Sequence, residues 1–258
     1  MLVVAKSGPL GLPAPTLKCP KGENVSLERL EDRIEIANPQ HPHCATVLVV
    51  DTSGSMSGDK IRQLNEGLRL FQDEVMADDL ARKRVEAAIV SFGGSVTIEQ
   101  DFGPIEDLDP PLLGASGDTP MGEAILTAVG LIRGRKQEYR DMGTDYFRPW
   151  IFLITDGEPT DMSPEDDRWR QAIEAVHAGE AAKEFLFFGV GVDPADMQTL
   201  KAICPPERPP ARLMPGRFRE MFAWLSRSQQ RVSASRVGEH VPLENPGGPL
   251  GWAEIETI

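Results

Sequence analysis

Residues 44–57 read CATVLVVDTSGSMS. The run up to Val50 is apolar and rich in β-branched residues, and it ends on the carboxylate of Asp51. An unbroken apolar run bounded by a polar turn predicts a strand covered on both faces, as in a parallel sheet. The turn then places Asp51, Ser53, Gly54 and Ser55 within five positions. On its own this could be a Ser-rich turn in which Asp51 caps the next helix. The rest of the chain decides otherwise.

Working outward, Ile61, Leu64, Leu68, Phe71 and Val75 recur at helical spacing and predict an amphipathic helix over 59–77. RVEAAIVSF (84–92) reads as a second strand. SVTIEQDF (95–102) alternates after Gly93-Gly94, which predicts a hairpin. The span 103–118 is rich in Pro, Gly and Asp and reads as a long loop. Pro120 suits a first helical position, with Ile125, Val129 and Ile132 on one face. PWIFLITD (149–156) is another apolar strand ending in Asp. Ser163 starts a helix whose buried face carries Trp169, Ile173 and Val176. EFLFFGVGVD (184–193) is a further core strand. Asp193-Pro194 caps a helix with Met197 and Leu200 inward, ARLM (211–214) is a short edge strand, and RFREMFAWLSRS is a last helix. Strands alternating with helices predict an α/β, doubly wound, mostly parallel sheet with helices on both faces.

In such a sheet, ligands gather at the carboxyl ends of the strands, where strand order reverses. Asp51, Ser53 and Ser55 follow the first strand, Thr119 opens the helix after the long loop, and Asp156 ends PWIFLITD. All five offer hard oxygen, which suits Mg²⁺ better than a soft metal. Two carboxylates balance one dication, and the neutral hydroxyls leave it electrophilic. Asp59 reads as a solvated helix-start charge. Asp161 suits helix-start chemistry, a role orienting the site or contact with a partner.

DTSGS, with GDTP and ITDGEPTD downstream, resembles the metal-ion-dependent adhesion site of von Willebrand factor type A (vWA) domains. That family's D-x-S-x-S, Thr and Asp pattern falls on Asp51, Ser53, Ser55, Thr119 and Asp156. The resemblance covers about residues 39–228. It implies a six-stranded sheet of order 3-2-1-4-5-6 with the third strand antiparallel, a bound Mg²⁺ (Mn²⁺ or Ca²⁺ being alternatives), and a protein partner whose carboxylate completes the metal shell. Residues 1–38 then form an N-terminal arm, 39–230 the vWA domain and 231–258 a C-terminal tail. RPWIFLITDGEPTD, ASGDTPMGEAI and FREMFAWLSRS are similar to the bacterial TerY-like branch. That branch is associated with tellurite-resistance and stress gene clusters, beside a protein kinase and a protein phosphatase, which are the partners this likeness implies. Asp118 stands where the branch has glycine, and it adds a carboxylate near the rim.

The competing class is a Mg²⁺-dependent phosphoryl-transfer enzyme resembling haloacid-dehalogenase-like phosphatases. Those carry D-x-D after the first strand, whereas this chain has Ser53 there and no obvious rim lysine. It has neither GxxxxGK[ST] nor GxSxG. The expectation is therefore a non-enzymatic binding domain.

Composition agrees. Among 258 residues, 40% are hydrophobic and the formal net charge is −13. Such a surface repels phosphate backbones and anionic lipid, which argues against nucleic-acid and membrane roles. No stretch reaches the roughly 18 apolar residues of a membrane span. The three cysteines, Cys19, Cys44 and Cys204, are far apart and form no CxxC pair, so a reducing cytoplasm is the expected home. HPHC (41–44) lacks the second ligand pair of a tetrahedral zinc site, which leaves His41 and His43 as surface residues and Cys44 as buried.

Overall fold

A computed structural model describes residues 17–18, 24–25, 36–247 and 251–254. Cys19 and most of the arm lie outside the described residues. The chain divides into two units, 1–36 and 37–258. In the first, β1 (Leu17–Lys18) pairs antiparallel with β2 (Asn24–Val25).

The second unit is built around β3 (Cys44–Asp51), all eight residues of which are buried. The chain continues through α1 (Asp59–Met76), a single turn α2 (Ala81–Arg84), β4 (Val85–Gly93), β5 (Ser95–Pro104) and α3 (Met121–Asp141). Then come β6 (Trp150–Thr155), α4 (Asp167–Ala181), β7 (Leu186–Val192), α5 (Met197–Ile203), β8 (Ala211–Leu213), α6 (Phe218–Ala234) and β9 (Ala253–Glu254). The sheet order is β5-β4-β3-β6-β7-β8-β9. The pairs β4–β3, β3–β6, β6–β7 and β7–β8 are parallel, and both outermost pairs are antiparallel.

The expected order of six strands is therefore present, with a seventh added at the far edge. Strand β8 is not an edge strand, because the tail returns to cover it: Leu213 pairs with Ala253, and the Met214 N–H donates to the Trp252 carbonyl at 2.9 Å. Trp252 packs edge-on against Trp224 of α6, with ring centroids 5.6 Å apart, and the Trp224 indole N–H donates to the Glu244 carbonyl. Burial of a second tryptophan is what makes so short a strand worth ordering.

Alternate residues of β3 serve opposite faces, as a strand with two covered faces requires. Leu48 and Val50 pack with Leu64, Leu68 and Phe71 of α1 and with Phe222 and Leu225 of α6. Val47 and Val49 pack with Ile125 and Ile132 of α3, Val176 of α4 and Leu200 of α5. Trp169 and Ile173 are half-buried against this second cluster, and Trp224 lies within the first. Two helix starts differ from expectation. Helix α4 begins at Asp167, after a turn in which the Ser163 N–H and hydroxyl both donate to Asp166. Helix α5 is capped by Asp196, whose carboxylate accepts from the Gln198 N–H at 2.9 Å, and not by Asp193. Asp and Ser both cap well, so the composition of either loop could not choose between neighbouring candidates.

Candidate metal centre at the strand ends

Strands β3 and β6 lie side by side at the centre of the sheet, and from them the chain winds outward in both directions. Asp51 closes β3 and Asp156 immediately follows β6, so the topology places both carboxylates at one crevice. The Asp51 side chain is fully buried. Its Oδ1 accepts from the Ser53 N–H at 2.8 Å, and its Oδ2 accepts from the Thr155 hydroxyl at 2.6 Å. Ser55 donates to Asp156 Oδ1 at 2.6 Å, and the Ser53 and Ser55 hydroxyls lie 3.0 Å apart. A 3₁₀ turn at Gly54–Met56, anchored by the fully buried Met56, turns both serines to this side.

Thr119 reaches the same crevice from a distant part of the chain. The long loop before it is tied to the DTSGS turn by two backbone bonds, Ser116 N–H to Thr52 O and Gly54 N–H to Gly117 O, and to the β4–β5 hairpin by a third, Gly94 N–H to Asp118 O. Asn65 of α1 holds the Leu113 backbone through both its amide groups. On the other side, the Thr119 N–H donates to the Thr160 hydroxyl and the Thr160 N–H returns to the Thr119 carbonyl. Gly157 shows how close the walls come. A Cβ there would lie 3.3 Å from Thr119 Oγ1 and 3.8 Å from Asp51 Oδ2, so glycine keeps the space between the two oxygens open. All five residues expected at the site thus border one crevice.

Asp161 does perform helix-start chemistry, but for a different helix from its own. Its two carboxylate oxygens accept from the Gly122 and Glu123 N–H groups at the start of α3, the helix that Thr119 leads into. Asp59 is exposed and pairs with Arg62, and Asp118 is exposed.

Two features of the rim escaped the sequence. The Thr155 hydroxyl supports Asp51. Lys60, the second residue of α1, reaches over the rim, its ammonium contacting Asp156 Oδ2 and donating to the Ser55 carbonyl at 3.2 Å. No lysine is obvious at the rim from the sequence, and this contact supplies one. Burial pushes the Asp51 carboxyl above the ordinary range. Hydrogen bonds from Ser53 and Thr155 oppose that rise, and the charge of Asp156 adds to it.

The donor set is one that a hard divalent ion fits. Two buried carboxylates stand together, their remaining partners are hydroxyls, backbone N–H groups and one lysine tail, and an open space is kept by Gly157. Among the described residues no three His, Cys, Asp or Glu side chains gather as a metal cluster, so an ion here would depend on the hydroxyls.

The histidine cluster before β3 behaves differently. His43 is not a surface residue: it is buried, with Nδ1 3.0 Å from Glu86 of β4, because the strand pairing carries it beneath the sheet end. Burial pushes the neighbouring Cys44 thiol up to about 12, which disfavours the thiolate that zinc binds.

A family model for the von Willebrand factor type A domain matches residues 46–214. The chain belongs to the vWA domain family. It is 27% identical over 161 residues to inter-alpha-trypsin inhibitor heavy chain H4 of Sus scrofa, a stretch making up 60% of this chain and only 16% of that protein. Among solved structures, a vWA protein from Catenulispora acidiphila superposes with a TM-score of 0.57 at 16% identity, covering 74% of this chain and 43% of that one. The vWF domain of the type V pili tip protein Mfa5 from Porphyromonas gingivalis gives 0.56 at 14% identity, over 78% and 99%. The pilus adhesin SpaC from Lactobacillus rhamnosus GG gives 0.58 at 13% identity, over 74% and 30%. At these identities the structural likeness is one of fold. Two parts of the vWA domain described here lie outside the matched span, α6 and the returning tail strand β9. Among the described residues no helix is long and apolar enough to cross a membrane.

Proposed function

We propose that this vWA domain is a metal-dependent protein-binding module. Asp51, Ser53, Ser55, Thr119 and Asp156 would hold a Mg²⁺ ion, with Mn²⁺ or Ca²⁺ as alternatives, and a carboxylate from a protein partner would complete the shell. The observation that carries this reading is the pair of buried carboxylates at a crevice lined by hydroxyls. When bound, the ion supplies an electrophilic position for an anionic oxygen of the partner. The chain's own part is to hold its oxygens ready: Thr155 and the Ser53 N–H fix Asp51, Ser55 fixes Asp156, and the Thr160 clamp fixes Thr119.

The module is non-enzymatic in this reading. His41 and His43 precede β3, at the opposite end of the sheet, His177 lies in α4 and His240 in the tail, so none follows a strand end as a base for the rim hydroxyls. An interaction role has support from the pilus tip protein and the pilus adhesin among its structural neighbours. The TerY-like sequence features point to a cytoplasmic kinase or phosphatase as the partner.

Calorimetric titration of Mg²⁺ into wild type and Asp51→Ala tests the site. Binding to the first and none to the second is expected, and equal affinity would overturn the reading. An ion bound only to the folded chain, at a hundredfold excess over its Kd, raises stability by about 2.7 kcal/mol. Pull-down of the partner is expected to be lost in EDTA.

A further inference from the structure

Lys60 stands at an unfavourable place for a cation. It is the second residue of α1, where the helix dipole disfavours positive charge. The helix end offers it nothing; what holds its ammonium are Asp156 Oδ2 and the Ser55 carbonyl across the rim. The Asp156 side chain is fully buried, whereas Lys60 is 27% exposed, so the lysine tail has a route to solvent. Asp51 receives only neutral donors. Among the described residues, the buried pair Asp51 and Asp156 therefore has one side-chain cation in contact with it, the partly exposed Lys60.

We propose that Lys60 is the exchangeable counter-cation of this rim: it occupies Asp156 until a divalent ion enters, and its displacement sets the affinity for that ion. The inference rests on the metal-binding reading above and assigns a regulator to the same site. A buried carboxylate left without a cation is costly, and Lys60 removes that cost in the ion-free chain. A dication neutralises both carboxylates by itself. Lys60 beside it would then face a like charge with no carboxylate left to share, so Lys60 must leave Asp156 as the ion arrives. The lysine thus weakens metal binding by the worth of its own contact, and it keeps the free rim closed to weaker cations.

The test is Mg²⁺ titration by calorimetry into the full chain as wild type, Lys60→Met and Lys60→Arg. Lys60→Met is expected to bind roughly tenfold more tightly, the factor that one charge-assisted hydrogen bond is worth. Lys60→Arg keeps the charge and is expected to stay close to wild type. Equal or weaker Mg²⁺ affinity in Lys60→Met overturns the proposal. A second measurement needs no variant. Limited acetylation of the wild-type chain, read by mass spectrometry at Lys60, is expected to rise when Mg²⁺ is added, and unchanged or reduced labelling overturns the proposal. The two readings fail differently. If wild type binds Mg²⁺ and Asp51→Ala does not, while Lys60→Met shows no gain, only the role of Lys60 falls. If wild type and Asp51→Ala are alike, the metal site falls and Lys60 with it.

Discussion

The sheet buries carboxylates at both its ends, and the two ends treat them in opposite ways. At the amino end, Glu86 of β4 sits among permanent donors. Arg135 of α3 grips both its oxygens, at 2.8 and 2.7 Å, the Tyr139 hydroxyl donates to it, and His43 Nδ1 lies 3.0 Å away. Burial alone would raise the Glu86 carboxyl, but the hydrogen bonds from His43 and Arg135 and the Arg135 charge outweigh it and hold it at about 2. At the carboxyl end, Asp51 has only a backbone N–H and hydroxyls, and its carboxyl is raised. The same chemical group, buried to a similar degree, is stabilised as an anion by a guanidinium at one end and held by neutral donors alone at the other. A carboxylate with its own guanidinium is a fastening, and one without is where we propose that a cation binds.

The largest expected effect breaks the fastened end. Arg135→Met leaves Glu86 buried without its guanidinium, and removing one partner of a buried pair costs about 3–5 kcal/mol. Urea unfolding measures this. Asp51→Asn at the other end, measured in EDTA, is expected to cost under about 1 kcal/mol, because the weakening of its hydrogen bonds from Ser53 and Thr155 is offset by the removal of a buried charge. Equal costs at the two ends would erase the distinction.

The next effect is in acid. The folded Glu86 carboxyl titrates at about 2, below its unfolded value near 4.5. Its contribution to stability is therefore complete above pH 4.5 and is lost as pH falls through that window towards 2. At about 1.4 kcal/mol per unit, the loss amounts to about 3 kcal/mol. Urea midpoints between pH 6 and 2 follow it, and Glu86→Gln is expected to flatten that part of the curve. An unchanged slope in Glu86→Gln would show that the network is not what acid attacks.

Much of the fold was legible, because it depends on short-range patterning, whereas the proposed ligand set came from the family pattern, and the structure brings those residues to one crevice. A short, β-branched apolar run bounded by turn residues reads as a covered strand, and a carboxylate at its end lies on the rim once alternation of strands and helices is read. The six-strand order came from the family resemblance. What could not be read depends on pairs distant in sequence. Glu86 stands inside RVEAAIVSF, a strand otherwise apolar apart from its ends, which signals that a cation must lie opposite, but nothing local names Arg135 or draws His43 inward. Lys60 looks like any exposed helical lysine until Asp156 is placed beside it. Strand β9 is two residues long and has no pattern of its own; it forms because Trp252 finds Trp224.

The smallest expected effect sharpens the comparison at the rim. Asp161 is the one rim carboxylate with a fastening role, since it caps α3 through the Gly122 and Glu123 N–H groups and pairs with Arg168 at 3.1 Å. Asp161→Ala removes a helix cap and is expected to cost about 1 kcal/mol in urea unfolding. Its second consequence separates fastening from binding. Because α3 starts directly after Thr119, loosening that helix end lets Thr119 wander, and Mg²⁺ affinity is expected to fall while some binding persists. Asp51→Ala is expected to show the reverse pattern, with binding lost and ion-free stability nearly kept. If Asp161→Ala instead abolishes Mg²⁺ binding as completely as Asp51→Ala, Asp161 belongs among the residues that hold the ion, and the line drawn here between the rim's ligands and their supports lies in the wrong place.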